Sequence, residues 1–289
     1  MANRLTKRWA PNDRGSRHAP ASSPRTSAPR ASSGIPAVTF DVWHTLLYLE
    51  STAEDTYNRR QTELGEAILE ASPVVGAATR SPGEAFRSVF LGAIRAAELG
   101  RSVSPARQIA QAARLSGRRV DTASYVAQLE GLVASSPFRL APGARTTLSR
   151  ISDLGIAIGV IANTVGEPGR ALQRILAREG IARFVASWCW SDELPWSKPA
   201  PQIFWRCLQG LGSSPTKAVH VGDGSADIRG ARNAGCLGSV LYTGLPRYGS
   251  FYRSFVARED PMRLRPEHVV RRLGEVPSLL ERNLPLARR

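Results

Sequence analysis

Four ionisable residues fall where short apolar runs end. Asp41 follows AVTF, Lys198 lies in WSKPAPQIF beyond FVASWCW, and Asp223 follows AVHVG with Asp227 four residues on. An acid at the end of an apolar strand is costly unless something uses it. Carboxylates so placed serve as nucleophiles or as hard oxygen ligands, and a lysine among them serves as a fixed cation. Asn163 and Thr164 follow IAIGVIA in the same way. A single acid past a strand is often no more than a helix cap. Four strand ends delivering Asp, Asn/Thr, Lys and a paired Asp point instead to one shared site.

The elements that must position these residues are legible in the pattern. After LAPGA, the apolar runs IAIGVIANT, FVASWCWSDE, AVHVGDG and GSVLYTG alternate with helical stretches such as PGRALQRILAREG and PQIFWRCLQGLG. Strands alternating with helices predict an α/β fold on a doubly wound parallel sheet, whose ligands sit beyond the C-terminal ends of its strands. Residues 51–138 carry almost no strand signal; SPVVG, RSPGEAF and SVSPARQ each supply a breaker followed by a helix start. The chain therefore reads as an α/β core over 36–50 and 139–289, with a helical domain over 51–138 inserted after the first strand. Residues 1–35, rich in Pro, Ser and Ala without hydrophobic period, read as a disordered basic arm.

Composition sets outer limits. With 289 residues and 42% hydrophobic content the chain holds ample material for a packed core. No run approaches the ~18 apolar residues of a membrane span, and no apolar segment follows the basic N-terminus as a secretory signal requires. A cytoplasmic protein with no membrane partner is the expectation, although an Arg/Ser-rich, acid-poor arm is also the composition of an organelle transit peptide. Cys189, Cys207 and Cys236 are odd in number and widely spaced, and read as buried small hydrophobes. The net charge of +15 is concentrated at the two ends, and only Lys7, Lys198 and Lys217 among the 39 basic residues are lysine. That skew reads as a compositional habit. Nucleic acid is expected to be met only nonspecifically, through the arm.

The order of these strand-end motifs resembles the haloacid dehalogenase superfamily of hydrolases, in the branch with a helical cap inserted after the first motif. FDVWHTLL is similar to the first motif, whose leading acid, here Asp41, is the nucleophile. VIANT occupies the second motif, WSKPAPQIF the third with Lys198, and HVGDGSADIRGARNAG the fourth. The resemblance covers roughly residues 37–282. It implies a Mg2+-dependent phosphatase that acts on a small phosphorylated or carboxylated metabolite through an aspartyl-phosphate. Asp41 and Asp223 would bind the metal with Asp227 and the main-chain carbonyl of Trp43, and Lys198 would neutralise Asp41.

Two positions depart from the family pattern. Trp43 stands where family phosphatases usually carry a second Asp as general acid, a group worth ~10²–10⁴ in rate. Ala162 stands where a hydroxyl usually binds a phosphoryl oxygen; Asn163 and Thr164 are the neighbours that would compensate. His44 is the nearby titratable group that could replace the acid. These departures leave open a metal-independent dehalogenase-like hydrolase, whose relatives carry an aromatic residue at the Trp43 position, and a non-catalytic protein that binds a ligand or partner. Asp223 and Asp227 weigh against the dehalogenase. Arg59, Arg60, Arg118 and Arg119 lie in the cap, so one of them is expected to meet a substrate anion. His220 reads as a packed core residue, and Trp188, Trp190, Trp196 and Trp205 as filling between sheet and helices.

Overall fold

The structure is a computed structural model and describes residues 35–245 and 259–284. The expected arm, residues 1–35, lies outside them except for Ile35, which is bonded to the body. Six parallel strands form the main sheet: β1 (Ala37–Phe40), β4 (Ala157–Ala162), β5 (Val185–Trp190), β6 (Ala218–Gly222), β7 (Gly238–Tyr242) and β8 (His268–Val270). Their order across the sheet is β5-β4-β1-β6-β7-β8. Every residue of β1 and of β6 is buried, as expected of central strands covered on both faces. From β1 the chain builds outward through β4 to β5, then returns to the other side of β1 and builds outward through β6, β7 and β8. The order reverses at β1, and the crevice beside such a reversal is where an open α/β sheet binds ligands.

Side chains alternate between the faces. Val38 and Phe40 point to the face covered by α5 (Ala144–Asp153), α6 (Gly169–Arg178) and α9 (Val276–Asn283), where Leu148, Ile151, Leu172 and Leu280 complete the core. Ala37 points the other way and packs with Leu208 and Leu211 at the end of α7 (Pro201–Gly210), beside α8 (Ser225–Ala234).

Between β1 and α5 come four further helices, α1 (Ser51–Ala71), α2 (Pro82–Glu98), α3 (Pro105–Leu115) and α4 (Thr122–Ser135). Two of the breakers seen in the sequence, RSPGEAF and SVSPARQ, carry the caps that start α2 and α3, whereas SPVVG ends α1 at Ser72 and starts no helix. Ser81 and Glu84 form a reciprocal capping box ahead of α2, the Ser104 hydroxyl accepts from the Arg107 N–H ahead of α3, and Asp121 accepts from two N–H groups at the start of α4. The helices enclose their own apolar cluster, centred on Leu69, Phe86, Ile109 and Leu129. The chain enters and leaves this block through two short strands, β2 (Leu47–Tyr48) and β3 (Arg139–Leu140), which pair antiparallel. Further main-chain bonds, from Ser102 to Pro195 and from Ser197 to Gly100, fasten the block to the loop that carries Lys198.

Candidate active site

The strand ends converge. Asp41 leaves β1, Asp223 leaves β6, and Asp227 reaches back from the first turn of α8. Oxygens of these three carboxylates lie within 4.8 Å of one another. Lys198 comes from the loop after β5. Its Nζ donates to Asp41 Oδ1 and, at 2.7 Å, to Asp227 Oδ1. Burial alone would lower the lysine's pKa, but the two carboxylates outweigh it and hold the ammonium charged.

Each group is held from behind. Asn163 clamps the Lys198 main chain, its Oδ1 accepting from the Lys198 N–H at 2.7 Å and its Nδ2 donating to the Lys198 carbonyl at 2.9 Å. His220, wholly buried in β6, lies 2.8 Å from Thr39 through Nδ1 and 3.0 Å from Asp227 through Nε2. It is therefore more than the packed core residue expected, since it fixes Asp227. The second Asp227 oxygen accepts from the Gly224 N–H at 2.9 Å, as an acid in the first turn of a helix does. Burial raises Asp227, but Lys198 and His220 outweigh it and the carboxyl stays below its ordinary value. Asp41 goes the other way. Burial, helped by Asp227 and Asp223 against the pull of Lys198, pushes it up to about 7.

Three carboxylates gather around one ammonium, and their donors are hard oxygens. That set fits a divalent cation with oxygen ligands.

The other residues expected at the site lie elsewhere or are already engaged. Thr164 does not face the ligand space: it is fully buried, and its hydroxyl donates to Asp192 Oδ1 at 2.5 Å. Asn163 borders that space, but both ends of its amide are engaged by Lys198. None of the four arginines, one of which was expected to meet a substrate anion, lines the cavity; Arg59, Arg60 and Arg119 are exposed, and Arg118 donates to the carbonyls of Glu70 and Ser72. His44 is buried at φ 53°, with its Nε2 3.3 Å from Glu54, and it does not line the cavity either.

The cavity, about 770 Å³, lies between the strand ends and the helical block, with Arg229, Glu259 and Pro261 also on its wall. The titratable group nearest Trp43 in it is one the sequence reading passed over. Glu167, on the loop after β4, accepts from Trp43 Nε1 at 2.6 Å and is 6% exposed. Burial pushes its carboxyl up to about 7 against the donors Trp43 and Gln61. The Trp43 indole also meets Phe138 edge to face, with ring centroids 5.2 Å apart. In NTVGEPG an acid among Gly and Pro reads as a turn, although its place just past a strand end was the available signal.

Comparison with known proteins bears on this arrangement. The family model described as haloacid dehalogenase-like hydrolase matches residues 35–235, and a second, HAD-hydrolase-like model matches 195–276. The chain is 31% identical over 122 residues to a phosphoglycolate phosphatase of Vibrio cholerae, a match covering 42% of this chain and 50% of that protein. It is 38% identical over 98 residues to a glyceraldehyde 3-phosphate phosphatase of Pyrococcus abyssi, covering 34% and 40%. The chain thus spans half or less of the length of these curated relatives. Its fold resembles the L-2-haloacid dehalogenase structure from Xanthobacter autotrophicus with a TM-score of 0.55 at 19% identity, covering 86% of this chain and 98% of that one. Among the described residues no helix is long and apolar enough to cross a membrane.

Proposed function

Because the chain belongs to the haloacid dehalogenase-like hydrolases, we propose that it is a Mg2+-dependent, cytoplasmic phosphatase acting on a small phosphorylated metabolite. The observation that carries this reading is the set of Asp41, Asp223 and Asp227 around Lys198 on the floor of a cavity. Asp41 attacks the phosphorus, the bond from phosphorus to the ester oxygen breaks with its electron pair on that oxygen, and the leaving alcohol takes a proton from solvent. Water then cleaves the acyl phosphate, restoring Asp41 and releasing phosphate. Lys198 offsets the charge of Asp41 throughout. Asp41, Asp223, Asp227 and the Trp43 carbonyl would hold Mg2+, which when bound removes the repulsion between carboxylate and phosphoryl group.

The test is release of phosphate from p-nitrophenyl phosphate and from a set of metabolite phosphates, with Mg2+ and with chelator. Turnover that requires Mg2+ and disappears in Asp41→Asn is expected. Turnover surviving Asp41→Asn sinks the covalent mechanism. The aromatic Trp43 favours a second reading, the dehalogenase; release of halide from 2-haloacids in the presence of chelator would establish it.

A further inference from the structure

The end of α2 rests on the loop that carries Lys198. Gly100, at φ 76°, closes that helix with two bonds, from its own N–H to the Ala97 carbonyl and from the Arg101 N–H to the Ala96 carbonyl. Carbonyls at the C-terminal end of a helix need partners from outside it, and Ser197 donates to this end twice. Its N–H meets the Gly100 carbonyl at 3.1 Å, and its hydroxyl donates to the Ala97 carbonyl at 3.0 Å and reaches that of Arg101 at 3.3 Å. Ser197 is 1% exposed. A buried serine so fully engaged, directly before the lysine of the site, requires a reason.

Ser197 opens a turn that the Ala200 N–H closes on the Ser197 carbonyl at 2.8 Å, and Lys198 stands second in it. The turn is gripped from two sides. From the core, Asn163 engages both the N–H and the carbonyl of Lys198. From the block, the segment 97–101 holds Ser197 and comes so close to the far end of the turn that a Cβ on Gly100 would lie 2.9 Å from Ala200 Cβ. A residue with no side chain, free to take positive φ, is what that approach demands. Just before the turn, Trp196 faces Arg101 as an antiparallel bridge, and the Ser102 N–H donates to the Pro195 carbonyl at 3.2 Å. Ala97 also borders the cavity. The block's wall and the lysine on the floor are thus joined through Ser197.

We propose that Ser197 is a positioning residue for Lys198: it ties the end of α2 to the turn that bears the lysine, so that the seating of the helical block places Nζ between Asp41 and Asp227. The inference rests on the phosphatase reading for its consequence in rate. An ammonium shifted from Asp41 offsets less of the charge at the moment of attack, and the loss falls on the chemical step rather than on binding.

The test reads the lysine directly and through rate. Lys7, Lys198 and Lys217 are the lysines of the chain, so nitrogen-15 labelling of lysine gives a simple ammonium spectrum, in which Lys198→Arg identifies the signal of the site. Two variants loosen the grip from opposite sides: Ser197→Ala removes the hydroxyl, and Gly100→Ala pushes the end of α2 off the turn. In the full chain with Mg2+, each is expected to lower kcat on p-nitrophenyl phosphate about fivefold or more with KM within about twofold, and each should shift the Lys198 signal. Leu129→Val, in the apolar cluster of the block, should lower the melting temperature and leave kcat and the signal as they were. An unmoved signal or an unchanged kcat in Ser197→Ala overturns the inference. The same loss and shift in Leu129→Val overturn it as well, since both would then report a general loosening of the block. Absence of turnover on every ester overturns the phosphatase reading, while the ammonium signal still decides whether Ser197 places Lys198.

Discussion

At the scale of single residues, the site pairs a complete anionic floor with an altered wall. Trp43 brings an indole where a proton donor is usual, and Glu167 is bound to that indole. The simple repair, Trp43→Asp, would set a new carboxylate beside a buried one, and like charges in such a place are destabilising. The double variant Trp43→Asp/Glu167→Gln avoids this. It should raise hydrolysis of an alkyl phosphate, whose poor leaving group needs a proton, about tenfold or more relative to nitrophenyl phosphate, whose leaving group does not. A ratio that stays constant shows that the position does not limit proton transfer. Glu167 also has a consequence for stability. Its folded pKa of about 7 lies above the ordinary 4.5, so between those values the folded chain holds a proton that the unfolded chain has lost. Stability is then fullest below about pH 4.5 and falls as pH rises through 7, by roughly 3 kcal/mol from Glu167. Asp41 acts in the same direction in the metal-free protein. Thermal unfolding in chelator should show a melting temperature that drops from pH 5 to pH 8, and Glu167→Gln should remove about half of the drop. An unchanged slope in the variant would show that Glu167 ionises freely. Asp41 and Asp223 were legible in the sequence because each follows an apolar run directly, and Lys198 and Asp227 because WSKPAPQIF and HVGDGSADIRGARNAG carry them in an order that resembles the family's. Glu167 was not, because it lies five residues past β4 in a loop whose course only the fold reveals.

At the scale of elements, what the sequence could show depended on length and burial. The long buried runs read as strands, and the cap sequences of α2 and α3 read as helix starts. β8 has three residues and β2 and β3 have two each, too few for any period to emerge. The buried polar residues of α1 were illegible for a different reason. Polar residues at helical spacing normally mark the solvent face, and only packing of α1 against the core loops turns Glu54, Asn58 and Gln61 inward. The arginines failed by the same ambiguity, since their place in the block was read but not the face they occupy. The junction of β6 and α8 gives the sharpest test at this scale. A Cβ built on Gly222 would lie 2.2 Å from Asp227 Cγ, so the strand must end in glycine for the helix to bring its carboxylate to Lys198 and His220. Gly222→Ala should lower stability by about 1–3 kcal/mol and abolish most turnover. In Gly224→Ala the added carbon meets Asp227 Oδ2 at 3.4 Å, an ordinary contact, and stability should change by no more than about 0.5 kcal/mol. Equal stability of the two variants, measured by denaturant unfolding, would show that Asp227 is not held against the strand end.

At the scale of the whole molecule, the charge of +15 and the anionic site pull the functional reading in opposite directions. Asp41, Asp223 and Asp227 gather at the site around Lys198, whereas residues 1–35 hold seven basic residues against one acid and residues 245–289 hold ten against five. If the excess at the N-terminal end served catalysis, its removal would weaken turnover; if it belongs to a segment that buries no apolar surface, removal leaves the folded body as it was. The described contacts of the body begin at Ile35, whose N–H donates to the Gly212 carbonyl and whose carbonyl accepts from Ser213 Oγ at 2.7 Å. Those bonds anchor the chain just before β1, and a deletion of residues 1–34 stops short of them. The truncated protein should therefore melt within about 2 °C of the full chain and keep its kcat/KM on p-nitrophenyl phosphate, while retention on a nucleic-acid column at low salt should fall. A large drop in melting temperature would show that residues 1–34 pack on the body. Retention that survives the deletion at physiological salt would place nucleic-acid binding on the body itself, with the basic residues beyond 245 as the next to neutralise.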